Sequence, residues 1–284
     1  ALLMNNRNRK DDAAELFGSL GDKPDAALFY AARAALYPLN ANAKEKDLLK
    51  AVELDNNEWR YKRSLAQYFL DNGDITKALA ITTAYYNTKP NDYIMGMLHA
   101  KCLSANKQFK ESEAVLSKLN IIPFEGATDG HALYYEASMM QAIEDYKKGS
   151  FKTALQHINT ARQWPDNLGV GKPYEEDIDA RAEDYLQALC LAAMKKKPEA
   201  DLLFQKVAND TRTNLNDVNT RIQALAVQKT GKSQQADDLV DKKLSEARNP
   251  DVKLWLARVY KGKDVTGASS KNTQMKIVEN IAAL

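Results

Sequence analysis

One half-motif recurs along this chain and limits the fold more than any other feature. It runs from a small or turn-forming residue through a few polar ones to an aromatic or apolar residue and then alanine. Asn72-Gly73-Asp74-Ile75-Thr76-Lys77-Ala78-Leu79 carries it, as do Lys148-Gly149-Ser150-Phe151-Lys152-Thr153-Ala154-Leu155 and Thr230-Gly231-Lys232-Ser233-Gln234-Gln235-Ala236. Weaker copies are Asn106-Lys107-Gln108-Phe109-Lys110-Glu111-Ser112 and Lys195-Lys196-Lys197-Pro198-Glu199-Ala200. The register positions Lys44, Ala78, Ser112, Ala154, Ala200 and Ala236 are 34, 34, 42, 46 and 36 residues apart. Each interval holds two antiparallel helices joined by a tight turn, and the longer intervals need insertions. A small residue in the middle of the first helix (Ala32, Ala66, Ala100, Ala142, Ala188, Ala224) lets the second come close, and the register alanine does the same from the other side. Glycine supplies the turn conformation that other residues resist. A helix pair of this kind leaves an apolar face that only the next pair covers.

The chain has 12 glycines and 8 prolines in 284 residues, a scarcity that favours helix over strand. Pro24, Pro38, Pro90, Pro123, Pro165 and Pro250 fall near predicted helix ends, Pro198 in the turn inside a pair and Pro173 in a loop. The pattern predicts at least twelve helices and essentially no sheet. With the 34-residue unit, Trp59 near one repeat start and Pro90 at its end, residues 25–248 resemble the tetratricopeptide-repeat (TPR) superfamily. The resemblance implies an all-α, right-handed α-α superhelix of about six helix pairs plus a C-terminal capping helix.

Residues 1–24 read as the end of a preceding, truncated repeat. Ala1 to Ala13 fits the second half of a helix, a turn and the start of another, so further repeats or another domain are expected upstream. Residues 249–284 read as a helix at 251–260, a mobile Gly-, Ser- and Lys-rich loop at 261–270, and an amphipathic last helix covering the final repeat. Insertions interrupt the array at 120–130 and 164–177. The stretch Trp164-Pro165-Asp166-Asn167-Leu168-Gly169-Val170-Gly171-Lys172-Pro173-Tyr174 is similar to one in a Bacteroidetes family of large proteins, whose β-rich N-terminal domain of unknown function precedes a TPR-like tail. That resemblance implies that this chain is such a tail, structural or oligomerising, that positions an upstream domain, a carbohydrate-active one among the alternatives. It brings no catalytic residues with it.

Catalytic constellations are absent from the sequence. Gly169-Val170-Gly171-Lys172 lacks the spacing of a phosphate loop, and Pro173 follows the lysine. His99, His131 and His157 share no metal-ligand spacing. Cys102 and Cys190 lie among apolar residues and read as buried free thiols. Glu175-Glu176-Asp177 and Asp237-Asp238 read as solvated helix starts. A net charge of +2 gives no concentrated basic surface for nucleic acid, and no apolar run is long enough to insert in a membrane. No enzyme activity, cofactor or metal is expected.

The expected function is a protein-interaction scaffold that binds a protein or peptide segment in a concave helical groove. First helices line such a groove in TPR-like arrays, and the repeat register directs Phe29, Arg33, Arg60, Arg63, Gln67, Met97, Lys101, Met139, Tyr185 and Arg221 toward it, with Ile143 and Leu189 beside them. Arginine suits bidentate contacts to carboxylates and methionine suits adaptable packing, so an acidic or amphipathic partner segment fits. The loop at 164–177 is a candidate recognition loop, packed by Trp164 and Tyr174.

Overall fold

The computed structural model describes residues 9–39, 41–123, 128–212, 217–247, 249–261 and 272–284. Every regular element among them is helical. Of the expected mid-repeat start only residues 1–8 lie outside the described residues, and Lys10–Leu20 is helical; of the expected loop at 261–270, residues 262–270 lie outside them and Lys261 closes a helix.

The chain forms two compact units, residues 1–108 and 109–284. Unit 1 holds α1 (Lys10–Leu20), α2 (Ala27–Ala34), α3 (Asn42–Leu54), α4 (Trp59–Asp71), α5 (Ile75–Thr88) and α6 (Tyr93–Ala105). Unit 2 holds α7 (Phe109–Leu116), α8 (Asp129–Lys147), α9 (Phe151–Ala161), α10 (Arg181–Ala193), α11 (Lys197–Ala208), α12 (Thr220–Lys229), α13 (Ser233–Glu246), α14 (Pro250–Lys261) and α15 (Thr273–Ala282). Helices pack in successive pairs, α2 on α3 and α4 on α5 in unit 1, then α8 on α9, α10 on α11 and α12 on α13 in unit 2. This is the TPR-like arrangement that the repeat predicts.

The alanine register is what closes the pairs. Ala66 and Ala78, Ala142 and Ala154, Ala188 and Ala200, and Ala224 and Ala236 are all at most 1% exposed. Around them unit 1 buries Leu48, Leu65, Phe69, Met95 and Leu98, and unit 2 buries Met139, Ile158, Leu186, Ile222 and Trp255. Removing such apolar surface from water supplies the main drive for pairing. Polar caps set several helix starts. Asp74 accepts from the Lys77 amide, and Asp92 from the Ile94 and Met95 amides.

The turns inside the α4–α5, α8–α9 and α12–α13 pairs use a left-handed residue. Gly73, Gly149 and Gly231 provide it with φ of +82°, +76° and +83°. In the two weaker copies Lys107 and Lys195 take the same place, with φ of +61° and +63°. The copies look weak in sequence because their glycine is gone, yet the backbone keeps the turn.

The two insertions fold onto each other. The Ile121 amide donates to the Asn167 carbonyl at 2.8 Å, and Asn167 Nδ2 donates to the carbonyls of Leu116 and Leu119 at 3.0 and 2.7 Å. Asn167 thereby satisfies carbonyls left open where α7 ends. Leu168 is buried beneath. Gly169 sits at φ +68°, and a Cβ there would lie 2.9 Å from the Ile121 carbonyl oxygen. The unusual stretch is therefore largely a packing device. Glu175–Asp177 forms an exposed 3-10 turn, not the start of an α-helix as expected, because Tyr174 and Ile178 on either side are extended.

The last helix covers more than the final repeat. α15 lies on α8, α10 and α12, the first helices of three successive pairs, while α14 packs on α13 at the end of the array. Met275, Ile277, Val278 and Ile281 are at most 2% exposed. Thr273 Oγ1 donates to Glu136 of α8 at 2.8 Å, and Gln274 Nε2 to Asn219 at 2.6 Å. From α14, Trp255 Nε1 and Arg258 donate to Glu279 at 2.6 and 3.0 Å.

Candidate interaction surfaces

In unit 1 the first-helix face is partly open. Arg60 and Arg63 are exposed on α4, and Gln67 is half-buried, donating to Asp71 at 2.8 Å. Arg60 meets Glu58 at 3.0 Å and lies over the Trp59 ring, 5.0 Å from its centroid. Arg63 has no ion pair among the described residues. Between α2 and α4 a cleft of about 270 Å³ is lined by Ala31, Ala35, Lys44, Arg63, Ser64 and Gln67, among others. Phe29, on α2, and Met97 and Lys101, on α6, are half-buried.

Arg33 departs from the expectation. Its guanidinium donates to both carboxylate oxygens of Asp47 at 2.7 Å, to Asp22 at 2.6 Å and to the Gly21 carbonyl at 2.7 Å. Asp47 is 2% exposed, so Arg33 ties α2 to α3 and to the end of α1. Its position on the helix is as predicted, but its charge is consumed inside the fold. The Asp47 contact holds its guanidinium pKa above the ordinary value.

In unit 2 the equivalent face is closed. Met139 and Ile143 are at most 1% exposed, and Tyr185 is 3% exposed, edge-on to Phe204. They share one core with Met275, Ile277, Val278 and Ile281 of α15. Arg221 is half-buried with its guanidinium 4.8 Å from the Tyr260 ring centroid. These four positions offer packing surface and not an open groove: α15 lies on the helices that carry them, and Tyr260 of α14 meets Arg221.

The recognition loop divides. Tyr174 is 78% exposed and packs nothing against Trp164. Trp164 instead lies flat on His131 of α8, with ring centroids 3.4 Å apart and planes 6° from parallel. The pair forms part of the wall of a cavity of about 920 Å³ in unit 2. Tyr135, Arg162, Glu183, Asp184, Lys206 and Gln274 also line it. Tyr135 Oη donates to Glu183 Oε2 at 3.0 Å, joining α8 to α10. Burial pushes the Glu183 carboxyl up to about 7 and the His131 imidazole down to about 4. Asp184 accepts from Arg162 at 2.8 Å and meets Lys206 at 2.7 Å. Sequence reasoning missed this cavity. The signal was four consecutive polar and small residues, Arg181 to Asp184, all of which the fold buries at a helix start.

Among the described residues no cluster of His, Cys, Asp and Glu could hold a metal ion, and no helix is long and apolar enough to cross a membrane. Cys102 and Cys190 are buried free thiols.

No family model and no curated protein matches this sequence. Among solved structures, a chain of Naa15/Naa10 bound to HypK-THB is similar at 15% identity over 99% of this chain and 48% of that one, with a TM-score of 0.48. A monomeric IFIT1 mutant with Gppp-AAAA is similar at 13% identity over 98% of this chain and 64% of that one, with a TM-score of 0.35. The chain thus spans about half the length of the first of these and under two thirds of the second.

Proposed function

We propose that the chain is a non-catalytic protein-interaction scaffold, and that the first-helix face of unit 1 receives an acidic, helix-forming segment of a partner protein. One observation carries this reading. In unit 2 the first helices that carry the same register positions, α8, α10 and α12, are packed by the chain's own amphipathic helix, α15. A repeat array that docks a helix on one set of first helices has the ridge spacing to dock one on another.

The side chains argue for the charge of the segment. Except for Arg221 the unit 2 positions are apolar, and the apolar face of α15 packs on the helices that carry them. The unit 1 positions keep Arg60 and Arg63 exposed beside a small cleft floored by alanines. Two guanidinium groups one helical turn apart on α4 match carboxylates on a facing helix.

The test is retention of partners from a lysate of the source cells by the 284-residue chain and by its R60E/R63E variant. Both arginines are exposed, so the variant keeps its fold. The reading expects a protein that is held by the parent at moderate salt, carries an acidic helix-forming segment, and is lost with the variant. Equal retention by both proteins moves the site away from this face.

A further inference from the structure

We infer that the cavity walled by His131, Trp164 and Glu183 is a binding site for an organic cation, a guanidinium or ammonium group laid on the Trp164 ring and bonded to the Glu183 carboxylate. The inference is independent of the unit 1 face and stands on unit 2 alone.

The charges in the wall are unevenly matched. Each of its three cations already holds a carboxylate: Arg162 and Lys206 share Asp184, and Lys172 holds Glu175. Glu183 is 4% exposed and holds no cation among the described residues; its carboxylate accepts from the Tyr135 hydroxyl and from its own backbone amide. A buried carboxyl without a cation is costly once ionised. An incoming guanidinium or ammonium removes that cost.

The platform fits the same ligand. One face of Trp164 is taken by His131, and the residue lines the cavity. A cation over an indole face is attracted by the ring quadrupole, most strongly when water is excluded. The volume, about 920 Å³, is in the range that encloses a whole small molecule or one long side chain with its neighbours. Tyr135 and Gln274 stand at the wall to accept or donate a further hydrogen bond. The source is therefore either a free small cation or a basic side chain of a bound peptide.

The experiment titrates the 284-residue chain by calorimetry with agmatine, with an acetylated and amidated Gly-Arg-Gly peptide, and with n-pentylurea as an uncharged control. The inference expects agmatine, the peptide or both to bind with a dissociation constant below about 1 mM, and the urea not to bind. Agmatine alone indicates a free cation, and the peptide binding at least as well indicates a side chain. Glu183→Gln keeps the bond from Tyr135 and the volume, so it folds, and it weakens binding by about tenfold. Trp164→Leu keeps an apolar wall but no π face, and weakens binding about threefold or more. Absence of binding by both cations at about 10 mM, or affinity unchanged in both variants, overturns it.

Discussion

Lys107 holds the same left-handed turn as Gly73, one 34-residue repeat further along, with φ of +61° against +82°. A side chain in that conformation costs about 1–2 kcal/mol, and glycine does not incur it. Lys107→Gly and Lys195→Gly therefore each raise stability by several tenths to about 1 kcal/mol, after the added chain entropy of glycine is subtracted. Gly73→Ala lowers it by about as much. Urea midpoints at unchanged slope measure all three.

The pair interfaces are sensitive to size in one direction. Ala154 and Ala236 have no exposed surface and lie in the core of unit 2. Ala154→Leu forces the pair apart and costs about 1–3 kcal/mol or more. The same change at Ala80, which is exposed on α5, is close to neutral. Thermal unfolding of the two variants separates register from mere helix propensity.

Much of this was legible in the sequence, and the alanines show why. A close helix crossing accepts only a small residue, so Ala66, Ala78, Ala142 and Ala154 mark the crossings directly in the chain. The groove was half legible. The register placed Met139, Tyr185 and Arg221 on first helices, but an amphipathic helix such as α15 does not carry the address of the face it covers. Its apolar residues state only that something must cover them. Arg33 was misread for a related reason. Its partners Asp22 and Asp47 lie 11 and 14 residues away on other elements, and no local spacing marks them. The cavity was missed because His131, Trp164 and Glu183 lie far apart in the chain, on two helices and a loop, and only the run Arg181 to Asp184 hinted at it.

α15 is a structural component of unit 2 as well as the cover of its first helices. Ile277 has no exposed surface, and Ile277→Ala costs about 2–5 kcal/mol by leaving a void between α15 and the helices below. A hydrogen-exchange experiment on this variant shows faster exchange in α8, α10 and α12, with unit 1 unaffected.

Glu183 makes stability depend on pH in a definite direction. Burial raises its carboxyl from the ordinary 4.5 to about 7, so the folded chain holds the proton more tightly than the unfolded one. Its contribution is intact below the ordinary value and is lost as pH rises toward 7, a cost of about 3 kcal/mol when complete. Glu183→Gln cannot ionise and escapes that loss. The melting temperature of the variant relative to the parent rises between pH 5 and pH 8, and a constant difference across that range contradicts the assignment.

The central claim is that the first-helix face of unit 1 docks a partner's acidic helix, and a photo-crosslinker in place of Ser64 tests it most directly. Ser64 is exposed, lies between Arg60 and Gln67 on α4 and lines the small cleft. The account predicts crosslinks in source-cell lysate to one protein, confined to an acidic segment with helical spacing, and their loss when R60E/R63E is combined with the label. Crosslinks that persist unchanged in the charge-reversed chain, or a partner captured without any crosslink at Ser64, contradict it.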